Sequence, residues 1–339
     1  MRALVLHGFG DLRVVQRERP EPAADEVLIS TIATGICGSD LHGFTGENGR
    51  RRPGQIMGHE TSARIVELGA SVDGGLQAGQ LVTVNPVIAC GRCPACLAHA
   101  EQHCATKRLI GVDPSLVSMF AEYVAVPARN LVRLADDLPA ELGALVEPLA
   151  VAYHALRRGG LTADDRLLVL GGGPIGQSAI VAAGHTGPAA VMVSEPDPGR
   201  RALCERLGAV AFDPKAAPLA EQLADHGGPA TIAVDAVGSS ASLGDALGAT
   251  VTGGRVVMVG MASPQLDLSA YRVSVDERTV IGSFTYPADE FAAMADYVSS
   301  APAAIGELIS ERVTLDGAQR AFEQLTDGSP APGKVLITF

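Results

Sequence analysis

Between Leu167 and Ser194 the chain carries no lysine, arginine, aspartate or glutamate, yet six glycines and two prolines cut it into short apolar blocks. An uncharged stretch could cross a membrane as one unbroken apolar helix. Interrupted in this way it reads as strand, glycine turn, helix and strand. Arg166-Leu167-Leu168-Val169-Leu170 is a buried-strand run, and Gly171-Gly172-Gly173-Pro174-Ile175-Gly176 follows it directly. That is G-x-G-x-x-G, with Pro174 placed to begin a helix. The glycines allow a sharp turn and a close approach of backbone to a pyrophosphate resting on the helix N-terminus. Glu195 stands nineteen residues beyond Gly176, at the end of the block 189–194, where a carboxylate accepts from ribose hydroxyls. This part of the chain therefore reads as a doubly wound parallel sheet that binds a dinucleotide. Strand runs at 231–234, 255–260 and 278–282 continue the pattern. Arg200 and Arg201 open the helix after Glu195, and either line the adenosine pocket or are solvated helix charges.

Four of the six cysteines crowd into fifteen residues, as Cys90-Gly91-Arg92-Cys93-Pro94-Ala95-Cys96 and then Cys104. Four thiolates around one ion make a closed tetrahedral site, which predicts a structural zinc. An iron–sulfur cluster also takes four thiolates and is the rival. Cys204 has no metal-ligand spacing and is read as packing. Upstream, Gly35-Ile36-Cys37-Gly38-Ser39-Asp40-Leu41-His42 is followed by Gly58-His59-Glu60. Thiol, imidazole and carboxylate are the three side chains zinc accepts, and three protein ligands leave a catalytic ion one open position. Ser39 and His42 form a candidate proton relay, the hydroxyl toward substrate and the imidazole toward solvent. The bland alternatives are a free core cysteine and ordinary surface histidines. Arg50-Arg51-Arg52, between the halves of this motif, is read as a solvated face, with recognition of a phosphorylated or acidic substrate as the sharper alternative.

In this order along the chain, the motifs resemble the zinc-dependent medium-chain alcohol and polyol dehydrogenases, in the sorbitol-dehydrogenase-like branch. The resemblance implies an α/β chain of two domains. A GroES-like β-rich catalytic domain over residues 1–150 carries both zincs, a Rossmann domain covers 151–284, and 285–339 return to the first domain, with the active site in the cleft between the two. It implies Cys37, His59, Glu60 and Glu147 as ligands of the catalytic zinc, Glu147 directly or through water. It gives Asp40 a role behind His59, where the alternative is a plain turn residue. Gly171, Gly173, Pro174, Ile175, Gly176, Glu195 and Arg200 would hold NAD, with NADP the less favoured cofactor. Tyr286 matches an aromatic bordering the substrate pocket, whereas Thr285 stands where an arginine is common. Ala63 and Gln80 depart from a usual Gly and Asp at positions that are not ligands.

Composition narrows the partners. At 339 residues, with 47% hydrophobic and 19% charged side chains, the chain can bury about two cores. A net charge of −12 opposes binding to a phosphate backbone, and 4% aromatics leave little for stacking on bases. The N-terminal apolar run is too short for a secretory signal. The expectation is a cytoplasmic enzyme with two zincs per chain, oxidising a secondary alcohol of a polyol or vicinal hydroxy compound with NAD. It has no nucleic acid or membrane partner and forms a homodimer or homotetramer, with the stretch 279–284 resembling the family's dimerising edge. The carboxylate ligands and polar neighbours favour substrates with several hydroxyls. The rival readings are an NADPH-dependent carbonyl reductase of biosynthesis and a non-enzymatic dinucleotide-binding protein.

Overall fold

Arg166–Leu170 lies at the middle of a six-stranded parallel sheet, where its four apolar residues are at most 2% exposed. The order across the sheet is Val210–Phe212, Ala190–Ser194, Arg166–Leu170, Ala230–Asp235, Thr250–Met258, Thr279–Gly282. All five pairings are parallel. This is the doubly wound order, in which the chain reverses direction across the sheet beside the first strand. Such strands are covered on both faces, so they read as continuous apolar runs. The absence of charge over 167–194 has the same cause, because helix Pro174–Ala183 is buried from Gly176 onward. The structure is a computed structural model and describes residues 1–339 except 48, 74, 301–302 and 329–330. The chain divides into two compact units, Pro148–Thr285 and Met1–Glu147 with Tyr286–Phe339.

The second unit is built on a seven-stranded sheet. Its strands run Ile309–Thr314, Lys334–Thr338, Glu26–Gly35, Glu60–Leu68, Leu81–Val84 and Leu131–Arg133, and Tyr123–Pro127 also pairs with Glu26–Gly35. Its core gathers Val27, Ile29, Ile65, Val82, Phe120 and Phe322. Phe322 packs against Phe44 at 5.4 Å and Phe120 at 6.0 Å between ring centroids. Phe44 lies on helix Gly38–Thr45, so this cluster anchors the helix that carries Ser39, Asp40 and His42. The last strand pairs antiparallel with Glu26–Gly35, placing Leu336 opposite Gly35. That register brings Lys334, from the far end of the chain, beside the motif at residue 37. Among the described residues, no helix is long and apolar enough to cross a membrane.

Two sequence expectations change here. The strand expected at 255–260 is Thr250–Met258, with an irregular register beside Ala230–Asp235, and the short strand Val210–Phe212 had no signal of its own. The solvated face expected for the arginine run fails at its middle member. Arg50 and Arg52 are exposed, but Arg51 is 2% exposed.

Candidate active site

Cys37 follows the end of strand Glu26–Gly35 and caps helix Gly38–Thr45. Its backbone N–H donates to Asp40 Oδ2 at 3.2 Å, which ties the acid to the turn. Glu60 begins the neighbouring strand and stands in register opposite Gly35. A Cβ on Gly35 would lie 2.1 Å from Glu60 Oε2, so only glycine leaves room for that carboxylate. Antiparallel pairing thus brings Cys37 to His59 and Glu60. One ligand atom from each of the three lies within 4.8 Å of the others.

The site is a concentration of buried charge. Glu60 is fully buried; its Oε1 accepts from Lys334 Nζ at 2.7 Å, and its Oε2 has no partner. Lys334 Nζ also donates to the Ile36 carbonyl at 3.4 Å. Asp40 Oδ1 lies 3.7 Å from His59 Nδ1, beyond hydrogen-bond length, and accepts from Arg51 Nη2 at 3.4 Å. Burial opposes charge on the His59 imidazole, but Asp40 and Cys37 outweigh it and push the ring up to about 10. Burial raises the Glu147 carboxyl to about 7, and its Oε1 accepts from the buried Tyr286 hydroxyl at 2.9 Å. The orphaned Glu60 oxygen and the thiol–imidazole–carboxylate donor set both fit zinc. Glu147 stands just outside the three-residue group. Ser39 is half-buried, and His42, three residues on along the helix, is exposed with Nδ1 3.0 Å from Glu47 Oε2.

The four-cysteine lobe is a second such centre. Sγ of Cys96 lies 3.5 Å from that of Cys93 and 3.9 Å from that of Cys90. Sulfurs at the corners of a zinc tetrahedron are about 3.8 Å apart, given a Zn–S bond of about 2.3 Å. All four sulfurs lie within 4.8 Å of one another, room for a single ion rather than a cluster with its own sulfides. The Cys90 backbone N–H and the Thr106 hydroxyl hold the Cys104 thiol down at about 6, while burial and neighbouring Cys93 push Cys96 up to about 11. Thiolates so crowded call for a cation. Cys204 is fully buried in the other unit, as packing.

In that unit Gly173 caps helix Pro174–Ala183 without a side-chain cap, leaving the first-turn N–H groups for an anion. Glu195 is buried; its Oε2 accepts from Gly172 N at 2.7 Å and its Oε1 from Asp197 N at 2.8 Å. Each oxygen keeps a lone pair for a ribose hydroxyl. Arg200 Nη1 comes within 3.8 Å of where a Gly173 Cβ would lie, so its cation overhangs the glycine turn. Arg201 is tied to the Glu195 carbonyl at 2.8 Å and to Asp213 at 3.1 Å. These groups fit a dinucleotide.

Sequence reasoning missed Lys334 and the burial of Arg51. Lys334 had a signal: the chain has three lysines against twenty-three arginines, and this one opens the apolar run Val335-Leu336-Ile337. Thr285, before Tyr286, adopts φ 52° with its Oγ1 buried and unpartnered, a strained conformation for a β-branched residue.

Comparison with known proteins agrees with this geometry. Residues 23–136 match the alcohol dehydrogenase GroES-like domain family, and 174–300 match the zinc-binding dehydrogenase family. The chain is 32% identical to L-galactonate-5-dehydrogenase of Escherichia coli K12, over 100% of this chain and 99% of that protein. Galactitol-1-phosphate dehydrogenase from Escherichia coli superposes with a TM-score of 0.92 at 27% identity, covering 100% of both chains. A zinc-binding dehydrogenase from Sinorhizobium meliloti 1021, bound to NADP, gives 0.91 at 30% identity, covering 100% of this chain and 99% of that one.

Proposed function

The chain belongs to the zinc-dependent medium-chain polyol dehydrogenase family, and from that premise we propose that it oxidises a secondary alcohol of a polyhydroxy compound with NAD. The observation that carries the reading is the Cys37–His59–Glu60 group, its ligand atoms within 4.8 Å and one Glu60 oxygen buried without a partner. Those three residues would hold the catalytic zinc, with Glu147 as an exchangeable fourth ligand. When bound, zinc supplies Lewis-acid polarisation of a hydroxyl, and the nicotinamide supplies a hydride acceptor. The remaining work belongs to this chain's residues. Ser39 takes the hydroxyl proton and hands it to His42, whose Nδ1 faces Glu47 at the surface. Tyr286 keeps Glu147 from turning freely. Cys90, Cys93, Cys96 and Cys104 would close around the second, structural zinc.

Several features support the choice of substrate and cofactor. A site with two carboxylates beside a bound metal would suit hard oxygen donors, and two of the named relatives are an L-galactonate and a galactitol-1-phosphate dehydrogenase. Glu195 favours NAD, because a buried carboxylate repels a 2′-phosphate. Arg200 is the counterargument, and the NADP-bound relative makes the comparison worth measuring. Strand Thr279–Gly282 is an edge of its sheet, a natural seam for a homodimer or homotetramer. The reading places the enzyme in the cytoplasm. Its test is kcat/KM across polyols, sugar acids, sugar phosphates, ethanol and butanol, each with NAD and NADP. Polyhydroxy substrates with NAD should rank first. Preference for a monohydric alcohol would overturn the substrate class, and preference for NADP would overturn the role given to Glu195.

A further inference from the structure

Among the described residues Arg51 is the one buried arginine, and the proposed reaction gives it no part. Its Nη2 reaches Asp40 Oδ1 at 3.4 Å, while Nε and Nη1 are buried with no hydrogen-bond partner. A buried guanidinium so poorly satisfied costs folding free energy. The fold nevertheless makes room for it. Gly43 lies one helical turn after Asp40, and a Cβ there would stand 2.3 Å from Arg51 Cγ and 3.2 Å from Met57 Sδ. The stem therefore occupies a slot that a glycine on helix Gly38–Thr45 opens, and the charged head ends on Asp40.

Asp40 is the link to the metal site. Its Oδ2 accepts from the Cys37 N–H at 3.2 Å, and its Oδ1 accepts from the guanidinium and faces the ring of His59, Nδ1 3.7 Å away. His59 Nδ1 is buried and has no hydrogen-bond partner. An imidazole that binds metal through one nitrogen needs its other N–H held by an oriented acceptor, and such an acceptor is worth about 10–100-fold in metal affinity. A carboxylate at a helix N-terminus could instead turn both oxygens toward backbone N–H groups. A cation fixed on the far side of Oδ1 prevents that. We propose that Arg51 is a positioning residue: acting through Asp40, it holds the carboxylate that orients His59 toward the ion. This rests on the reading of Cys37, His59 and Glu60 as zinc ligands. Of three consecutive arginines, the middle one serves the site.

The test is zinc release from the intact, zinc-loaded protein into a chromogenic chelator. Two phases are expected in the wild type, and the phase that Cys37→Ser deletes belongs to the catalytic site. Arg51→Met should weaken retention in that phase by about tenfold or more and leave the four-cysteine phase unchanged, with Arg51→Lys between. Gly43→Ala should shift the same phase in the same direction, because it displaces Arg51 while keeping its charge. If Arg51→Met does not fold, Arg51→Lys and Gly43→Ala carry the test. A catalytic phase unchanged in the folded variants overturns the proposal, as does equal acceleration of both phases, which would mark a general loss of stability. A wild type that yields only the four-cysteine phase overturns the reading of the site itself, and the proposal with it.

Discussion

Glu60 is a carboxylate with no access to solvent, and Lys334 Nζ at 2.7 Å is its charged partner. Removing one member of a buried pair leaves the other uncompensated, which costs about 3–5 kcal/mol. Lys334→Met should therefore lower stability by that order in a urea titration of zinc-free protein. A loss within experimental error would mean that Glu60 is neutralised some other way. Cys37→Ser removes a ligand but no packing, so turnover should vanish while the protein keeps one zinc and still unfolds cooperatively. Retained activity would exclude Cys37 from the metal site. Glu195 is held by two backbone N–H groups, leaving a lone pair on each oxygen for ribose. A hydrogen bond to a charged group is worth about 1.5–3 kcal/mol, so Glu195→Ala should reduce the NAD over NADP ratio of kcat/KM by about 10–100-fold. An unchanged ratio would shift the decision to Arg200.

Strand Arg166–Leu170 begins beside a polar clasp. Asp165 accepts from Thr162 N at 2.8 Å, Thr162 Oγ1 at 2.9 Å and, from the neighbouring strand, Thr231 Oγ1 at 2.6 Å, and pairs with Arg255 one strand further on. Burial alone would raise this carboxyl, but the hydroxyl and backbone donors, with Arg255, bring it below its ordinary value. A group with a depressed folded pKa stabilises the protein above its unfolded pKa, and that contribution disappears as pH falls through the folded value. Asp165→Asn should cost about 2 kcal/mol near neutrality. The gap from wild type should close only below about pH 4, the ordinary aspartate range. A gap independent of pH would show that the charge does not matter. The lobe around Pro94–Leu97 would depend on a bound ion, because its buried cluster consists of little beyond Ala89 and the cysteines. Cys96→Ser should loosen residues 90–104 to proteolysis with the Cys37 site still loaded; equal resistance to protease would argue against a structural zinc.

At the scale of the whole chain, two zincs would link the metal sites to the folding balance. Stripping them would leave the buried Cys37–His59–Glu60 donors unsatisfied and four crowded thiols in the lobe. Chelation should lower the thermal midpoint, and added zinc should restore it by mass action. A midpoint indifferent to chelator would contradict two zincs per chain. The motifs themselves were legible without a structure, because each is local. A glycine turn between strand and helix, four cysteines in fifteen residues, and Gly-His-Glu announce their chemistry through spacing along the backbone. The doubly wound sheet was legible too, since strands covered on both faces must be apolar throughout. Antiparallel pairing beyond the reach of local pattern decided much of the rest. It set Gly35 opposite Glu60 and drew Lys334 from the C-terminal end onto that carboxylate. Loop and helix packing closed Tyr286 on Glu147 and buried Arg51 while its two neighbours stayed in solvent. A charge run reads as surface because burying an ion is costly, and only the tertiary structure shows the carboxylate that offsets the cost. Sequence thus determined which candidate ligands and which dinucleotide-type fold the chain carries, and tertiary packing decided which counter-charges stand beside them.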